Sequence, residues 1–193
     1  ARSIMANIDA AFGLRPVRQL GSMPFNNATN EYTIASGATG PIYQGSLVIM
    51  ATSGSVIIGT ATAVDTVGVF NGCFYTDPTS KKPTWSNYYA GSVSASDIVA
   101  FVFDDPDMTF EAQTAGTIAK TAIGGNLDTA GVTGSTITGQ STTELSGTVT
   151  GSGTAQMRLV GISKDPDNSD AASANSNWYV IFNEHAYKTA TGT

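Results

Sequence analysis

The chain has 193 residues, of which 41% are hydrophobic and only 12% are charged, and its net charge is −6. This hydrophobic share supports a packed core and excludes a chain that is disordered throughout. The acidic balance argues against a broad basic face for nucleic acid, and no apolar run approaches the roughly 18 residues that a membrane-spanning helix needs. The 26 threonines, 19 serines and 21 glycines favour strands and turns, so we expect an all-β protein.

The first predicted element is an N-terminal segment whose charge is opposite to that of the rest. Residues 1–30 carry a net charge of +2, whereas residues 31–193 carry a net charge of −8. In "AAFGLRPVR", two apolar side chains accompany two arginines, which bind carboxylates well, and a proline that keeps the backbone extended. Two interpretations are equally open: an extended arm over 1–30 that grips another molecule, or an N-terminal strand that covers the chain's own sheet.

Strands dominate the next part of the chain. "PIYQGSLVIM" and "SVIIGT" flank a Gly-containing connection and predict a hairpin. In "TVGVFNGCFYTD", Asn71-Gly72 predicts a tight turn between two strands, and Cys73 is interpreted as a small buried side chain. "DIVAFVFDD" predicts a strand buried on both faces, and "DMTFEAQ" predicts another strand directly after it.

The interval between Phe110 and Trp178 contains no aromatic residue. Within it, "TAGTIAKTAIGG" predicts one or two helical turns. Residues 114–156 form a Thr/Ser/Gly-rich excursion that fits a disordered linker, a long functional loop, or thin β structure paired with neighbouring chains. Small apolar residues recur too regularly for a disordered linker, and we favour thin β structure because Thr-rich alternation with glycine corners matches exposed strands or hairpins. "AQMRLVGIS" and "NWYVIFNEH" then predict two late strands, so residues 31–193 read as one all-β domain, a compact β-sandwich or small β-barrel.

Signals for catalysis or metal binding are weak. His185 is the only histidine and no G-x-S-x-G element accompanies it, so we interpret it as structural or as a surface residue. The acidic stretches "DDPD" and "KDPDNSD" have the composition of turns, and the second lacks the central glycine and the closing glutamate of a calcium loop. We therefore predict a protein that is not an enzyme and that uses no cofactor or metal.

Aromatic residues supply a second candidate site. "KKPTWSNYYAG" places two lysines beside three aromatic side chains, and a second tryptophan stands in a late strand. Such residues can stack on sugars, and they are also common at subunit contacts. The candidates for a glycan or subunit contact are Trp85, Tyr88, Tyr89 and Trp178.

Several motifs resemble, in the same order, small structural proteins of short-tailed bacteriophages, notably those that infect cyanobacteria and marine bacteria. The motifs are "MANIDAAFGLRPVRQL", "MPFNNATNEYTI", "VGVFNGCFYTD", "KPTWSNYYAG", "AFVFDDPDMTFEAQ", "RLVGISKDPDNS" and "WYVIFNEHAY". The similarity extends from Met5 to about Tyr187 and is poorest in the Thr/Gly-rich excursion. The family it indicates is that of the head decoration, or cement, proteins.

This resemblance implies a virion protein on the outer surface of the capsid, made in the cytoplasm of a host bacterium. It implies a homotrimer that binds the major capsid protein and stabilises the shell by bridging adjacent capsomers, without contacts to nucleic acid or membrane. The expected capsid-binding residues are Phe12, Leu14, Arg15, Pro16 and Arg18. Two other functions stay open: a virion-surface module that binds host carbohydrates, and a tail or connector component.

Overall fold

The computed structural model describes residues 6–21 and 23–188, and almost all of their regular secondary structure is β-strand. The all-β prediction is confirmed. The strands in chain order are β1 (Arg15–Gln19), β2 (Asn30–Thr33), β3 (Leu47–Met50), β4 (Val56–Ile58), β5 (Thr66–Thr76), β6 (Pro83–Ser86), β7 (Val99–Phe103), β8 (Met108–Gln113), β9 (Asn126–Leu127), β10 (Thr129–Ala130), β11 (Glu144–Leu145), β12 (Met157–Ile162) and β13 (Asn177–Phe182). One turn of 3-10 helix spans Lys120–Ala122. No described helix has the length and apolar character that a membrane crossing requires.

Two antiparallel sheets form the framework. The first has the strand order β1-β8-β13-β12-β9, and the second has the order β2-β7-β5-β3-β4 with β6 also paired to β5. A short ladder joins β10 to β11. Neither of the two sheets closes on itself within the described residues. Of the two predicted architectures, the structure therefore agrees with the β-sandwich and not with the closed β-barrel.

The main hydrophobic core lies between these two sheets. Phe110 and Trp178 enter it from the five-stranded sheet, and Val69 and Phe103 enter it from the six-stranded sheet. Phe110 and Trp178 are fully buried, and each large apolar side chain buried in this way contributes about 1.5–3 kcal/mol. The contact between the sheets therefore holds the two halves of the chain together.

A second core covers the opposite face of the six-stranded sheet. Cys73 and Val102 point into it from the strands, and Ile42 and Tyr89 close it from connecting segments. The predicted burial of Cys73 is confirmed, since the side chain has no exposed surface. Burial also raises the pKa of the Cys73 thiol to about 12.

The predicted turn at Asn71-Gly72 is wrong. β5 continues through both residues and pairs with β6 and with β7. A register shift between Phe70 and Gly72 absorbs the extra residue as a β-bulge. The continuous strand prevails because it lets Phe70 and Cys73 both enter the second core.

Other strand predictions are confirmed, with differences in burial. β3 and β4 form the predicted hairpin, and β12 pairs with β13. β7 and β8 both form where expected, but Val99 and Phe101 in β7 are only half-buried because part of the sheet face beside them is open.

The Thr/Ser/Gly-rich excursion is ordered on its own chain. Its short strands pair within the chain, β9 with β12 and β10 with β11. Ile118, Leu127 and Leu145 enter the main core. The expectation of thin β structure is met, but the expectation that it buries little and depends on neighbouring chains is wrong. Of the predicted helical turns, only the 3-10 turn forms.

Candidate functional site

The described part of the N-terminal segment lies on its own chain. The side-chain amide of Asn7 donates a hydrogen bond to the carbonyl of Ala174 at 2.7 Å. The carbonyl of Ile8 accepts one from the Gln113 side chain at 2.9 Å, and β1 then pairs with β8. This arrangement is the second of the two interpretations, a strand that covers the chain's own sheet. Residues 1–5 and 22, which include Arg2, lie outside the described residues.

Gly13 makes this attachment possible. Its backbone has a φ of +74°, and a Cβ atom there would lie 2.9 Å from both the Gly45 carbonyl oxygen and the Ser141 Cβ. Only glycine avoids both the strain and the clash. The close approach lets the Leu14 amide donate to the Gly45 carbonyl at 2.9 Å and brings the Leu14 side chain into the main core.

A bulge in β1 places both arginines of the strand on one face. Arg15 is paired with Glu111, but the register shifts by one residue before Arg18, which is paired with Thr109. Since side chains alternate along a strand, Glu111 and Thr109 lie on the same face of β8, and so do the two arginines paired with them. That face points away from the main core.

The third described arginine lies on the same face. Arg158 is paired with Ile181, Ile181 with Thr109, and Thr109 with Arg18, so one row crosses all four strands. The neighbouring row contains Tyr179, Glu111 and Arg15. At about 4.8 Å per strand, Arg18 and Arg158 stand roughly 14 Å apart. We call this surface the arginine face; its residues are Arg15, Arg18, Thr109, Glu111, Arg158, Tyr179 and Ile181.

Aromatic rings and amides hold the three guanidinium groups. Arg15 lies 4.2 Å above the Phe12 ring and 3.7 Å from the Glu111 carboxylate, with 57% of its side chain exposed. Arg18 lies 5.8 Å from the Tyr179 ring. Arg158 donates to the side-chain oxygens of Asn126 and Asn183 at 2.8 and 2.6 Å. The contact with Glu111 is long for an ion pair and the Arg15 side chain is more than half exposed, so the guanidinium stays available to an external carboxylate.

The two rows of the arginine face carry more arginines than carboxylates, although Asp165 and Asp167 line a neighbouring hollow together with Arg15. The rows contain three arginines and one carboxylate, that of Glu111, which also accepts a hydrogen bond from the Ser163 hydroxyl at 2.5 Å. The whole chain has a net charge of −6. Such a surface is suited to a partner that presents carboxylates at the spacing of a β-sheet.

The structure separates the five predicted capsid-binding residues. Arg15 and Arg18 are exposed on the arginine face, as a binding role requires. Phe12 and Pro16 are half-buried and line a hollow beside it. Leu14 is only 2% exposed and belongs to the main core, so its prediction as a direct contact is wrong.

Sequence reasoning missed Arg158, although a signal was present. In "QMRLVGIS", Arg158 stands between Met157 and Leu159, which are both buried. This alternation identifies an outward-facing position on a half-buried strand. What the sequence could not provide was the strand order that brings β12 into the same sheet as β1.

The four aromatic candidates do not form one surface. Trp178 is fully buried in the main core and Tyr89 is fully buried in the second core, so both predictions of an external contact are wrong. Tyr88 is half-buried and stacks on Tyr43, with ring centroids 5.9 Å apart. Trp85 alone of the four is well exposed, at 57%.

His185 has a structural position. It is 2% exposed, its ring packs edge-on against Phe182 at 5.2 Å, and its Nδ1 accepts a hydrogen bond from the Tyr187 amide at 3.2 Å. Burial lowers the pKa of His185 below its ordinary value. Within residues 6–21 and 23–188, no three or more His, Cys, Asp or Glu side chains are grouped so that they could hold a metal ion.

Comparison of the chain with protein families, curated proteins and solved structures finds no match.

Proposed function

We propose that this chain is a capsid decoration protein, a non-enzymatic virion protein that binds the outside of a phage head as a homotrimer. In this role it contacts the major capsid protein and stabilises the shell by bridging adjacent capsomers. The proposal is supported by the ordered motifs that resemble head decoration proteins. The observation that carries it is the arginine face, because it places three arginines on one sheet face of an acidic protein.

The mode of attachment is a preformed sheet face. A flexible arm would lose much conformational entropy on binding, whereas β1 is already fixed by its pairing with β8 and by Leu14 in the core. The aromatic contacts of Arg15 and Arg18 restrict those side chains before any partner arrives. Carboxylates on the capsid surface then meet guanidinium groups that are largely in place.

The positions of the arginines predict which groups a complementary capsid surface carries. Arg18 and Arg158 lie at opposite ends of one row, with the half-buried Ile181 and the buried Thr109 between them. A matching surface therefore presents acidic groups to two arginines whose strands are separated by β8 and β13, flanking a small apolar contact.

Cosedimentation with purified undecorated heads tests the proposal. The purified chain should bind the heads, and Arg158→Gln should weaken binding, although residue 158 is far from the N-terminal segment. Lys82→Gln is the matched control, since Lys82 is exposed directly before β6 of the six-stranded sheet and is not part of the arginine face. Equal binding by the wild type and Arg158→Gln would contradict the use of this face.

The number of copies in the virion separates this role from that of a tail or connector component. A shell protein is present in many copies and a tail part in few, which quantitative gel analysis of virions can resolve. A low copy number would contradict the proposal.

A further inference from the structure

A hollow of about 320 Å³ lies beside the arginine face, between the N-terminal segment and the six-stranded sheet. Phe12 and Pro16 form one side, and Val69 and Phe103 form the floor. Its volume is at the lower end of the range for small-molecule sites in proteins, about 300–1,000 Å³. The rim is open to solvent, because Asn27 and Gln140 in the lining are both exposed.

Aromatic rings supply the apolar part of the lining. Phe25 meets Phe103 edge-to-face, with ring centroids 5.5 Å apart and an interplanar angle of 64°. Phe12 closes the opposite side and is fixed by the Arg15 guanidinium above its ring. Rings held in this way can pack against the C–H faces of a ligand without a further loss of side-chain freedom.

The polar part of the lining consists mainly of carboxamides, those of Asn27, Gln44, Asn71 and Gln140. Gln44 donates to the Asn71 side-chain oxygen at 3.0 Å, and Gln140 donates to the Phe12 carbonyl at 3.3 Å. Among the described residues, no protein group binds Gln44 Oε1, Gln140 Oε1 or Asn71 Nδ2. The hollow thus offers two acceptors and one donor, together with both functions of the Asn27 amide.

The charge of the lining narrows the class of ligand. None of the described residues that line the hollow has a carboxylate, which disfavours a cationic ligand. Arg15, the one charged group among the described lining residues, belongs to the arginine face, and the rest of the lining is uncharged, so the lining as a whole is mostly neutral. A neutral ligand with apolar ring faces and hydroxyl groups around its edge matches rings combined with carboxamides, since a hydroxyl both donates and accepts.

We infer that this hollow is a binding site for a neutral carbohydrate, one or two sugar units in length. The site is distinct from the aromatic group that the sequence suggested and contains none of its residues. It goes beyond the proposed shell-binding role. Asn27 and Gln140 lie outside the arginine face, so substitutions there test carbohydrate binding without removing an arginine from that face. A negative result for carbohydrate binding would leave the shell-binding proposal intact, and a negative result for shell binding would leave the carbohydrate site intact.

The test uses the whole chain, a glycan array of neutral oligosaccharides, and NMR of the side-chain amides. Glycans that bind on the array are added as free sugars at millimolar concentration. The amide signals of Asn71 and Gln140 should then shift. Gln140→Ala should weaken binding at least several-fold, and Asn27→Gly should do the same, because glycine retains the left-handed backbone at φ 57°.

Asn26→Ala is the control, because it removes an exposed carboxamide next in sequence to the site but absent from its lining. It should bind as the wild type does. The inference is overturned if no neutral glycan binds. It is overturned equally if a glycan binds but shifts the Trp85 indole signal and leaves the Asn71 and Gln140 signals unchanged. Thermal unfolding of each variant without sugar confirms that the comparison is made between folded proteins.

Discussion

Arg15 and Arg18 share one face of the five-stranded sheet, although an unbroken strand would direct them to opposite faces. The one-residue register shift between Pro16 and Arg18 changes the alternation, so Arg18 is paired with Thr109 and Arg15 with Glu111. A local irregularity in β1 thereby joins two charges into one surface, and the pairing through β8 and β13 adds Arg158 to it.

The proposed function predicts that binding to undecorated heads weakens as salt is added, because the arginine face would then form ion pairs with acidic groups of the shell. Arg158→Gln should show a shallower salt dependence than the wild type, since it has one ion pair fewer to screen. Both are measured as affinity across a series of sodium chloride concentrations. A salt dependence identical in the two proteins would show that Arg158 makes no ionic contact with the shell.

Leu14→Ala should destabilise the fold by about 2–5 kcal/mol, as is usual when a large core side chain is truncated and leaves a cavity. Leu14 is 2% exposed within the main core. Leu20→Ala is the matched control, because Leu20 is 49% exposed and should change stability by no more than about 0.5 kcal/mol. Urea unfolding gives both values. Similar small effects would mean that the N-terminal segment is not part of the cooperative unit.

Gly13→Ala should cost more stability than Gly21→Ala. Both glycines have left-handed backbone angles, φ +74° and +93°, which cost an alanine about 1–2 kcal/mol. At Gly21 a Cβ atom would meet nothing within 4 Å, whereas at Gly13 it would meet Gly45 and Ser141 at 2.9 Å. The difference between the two unfolding free energies therefore isolates the steric clash, and equal losses would contradict the close approach at Gly13.

The free energy of unfolding should fall as the pH drops below about 6.5, with His185 contributing to the loss. Burial lowers the pKa of His185 in the folded state, so the unfolded state binds the proton more readily. The contribution of His185 is complete above the unfolded-state pKa and is lost as the pH falls toward the lowered folded-state value. His185→Asn removes this titration. The difference between the unfolding free energies of the wild type and the variant, measured across pH, should therefore report the contribution of His185. A difference that does not vary with pH would refute the assignment.

Cys73 should be unreactive in the folded protein. Its side chain has no exposed surface, and burial raises its pKa to about 12, so little thiolate is present at pH 8. A thiol reagent such as Ellman's reagent should react slowly with the native chain and at once after denaturation. Rapid reaction under native conditions would show that the second core opens readily.

The positions of the strands could be predicted from the sequence more accurately than the pairing between strands. The pairing of β3 with β4 was predicted because a short Gly-containing connection joins two apolar runs, whereas β12 and β13 were predicted only as strands. Asn71-Gly72 misled the prediction because the dipeptide favours a tight turn locally, while the long-range pairing of β5 with β7 depends on a continuous strand. At this position the pairing of β5 with β7 outweighs the local turn preference of Asn71-Gly72.

In the candidate site, too, the sequence reveals local features but not the long-range contacts. The sequence identifies Arg15 and Arg18 as a cationic pair, yet it leaves open whether their segment attaches to its own chain. That question is decided by Gly13 and the cavity that accepts Leu14, and both depend on residues far along the chain. Trp85 and Trp178 illustrate the limit for aromatic residues, since the first is exposed and the second is fully buried although either could stack on a ligand.

The pairing order of the five-stranded sheet also has a consequence for biosynthesis. β1 emerges from the ribosome early, but its partner β8 is translated much later, and β13, which lies between β8 and β12, comes last of the described strands. Contacts between such distant parts of a chain form late in folding. A nascent or prematurely terminated polypeptide that lacks β13 cannot assemble the surface that holds the three arginines, so only copies synthesised through β13 present it.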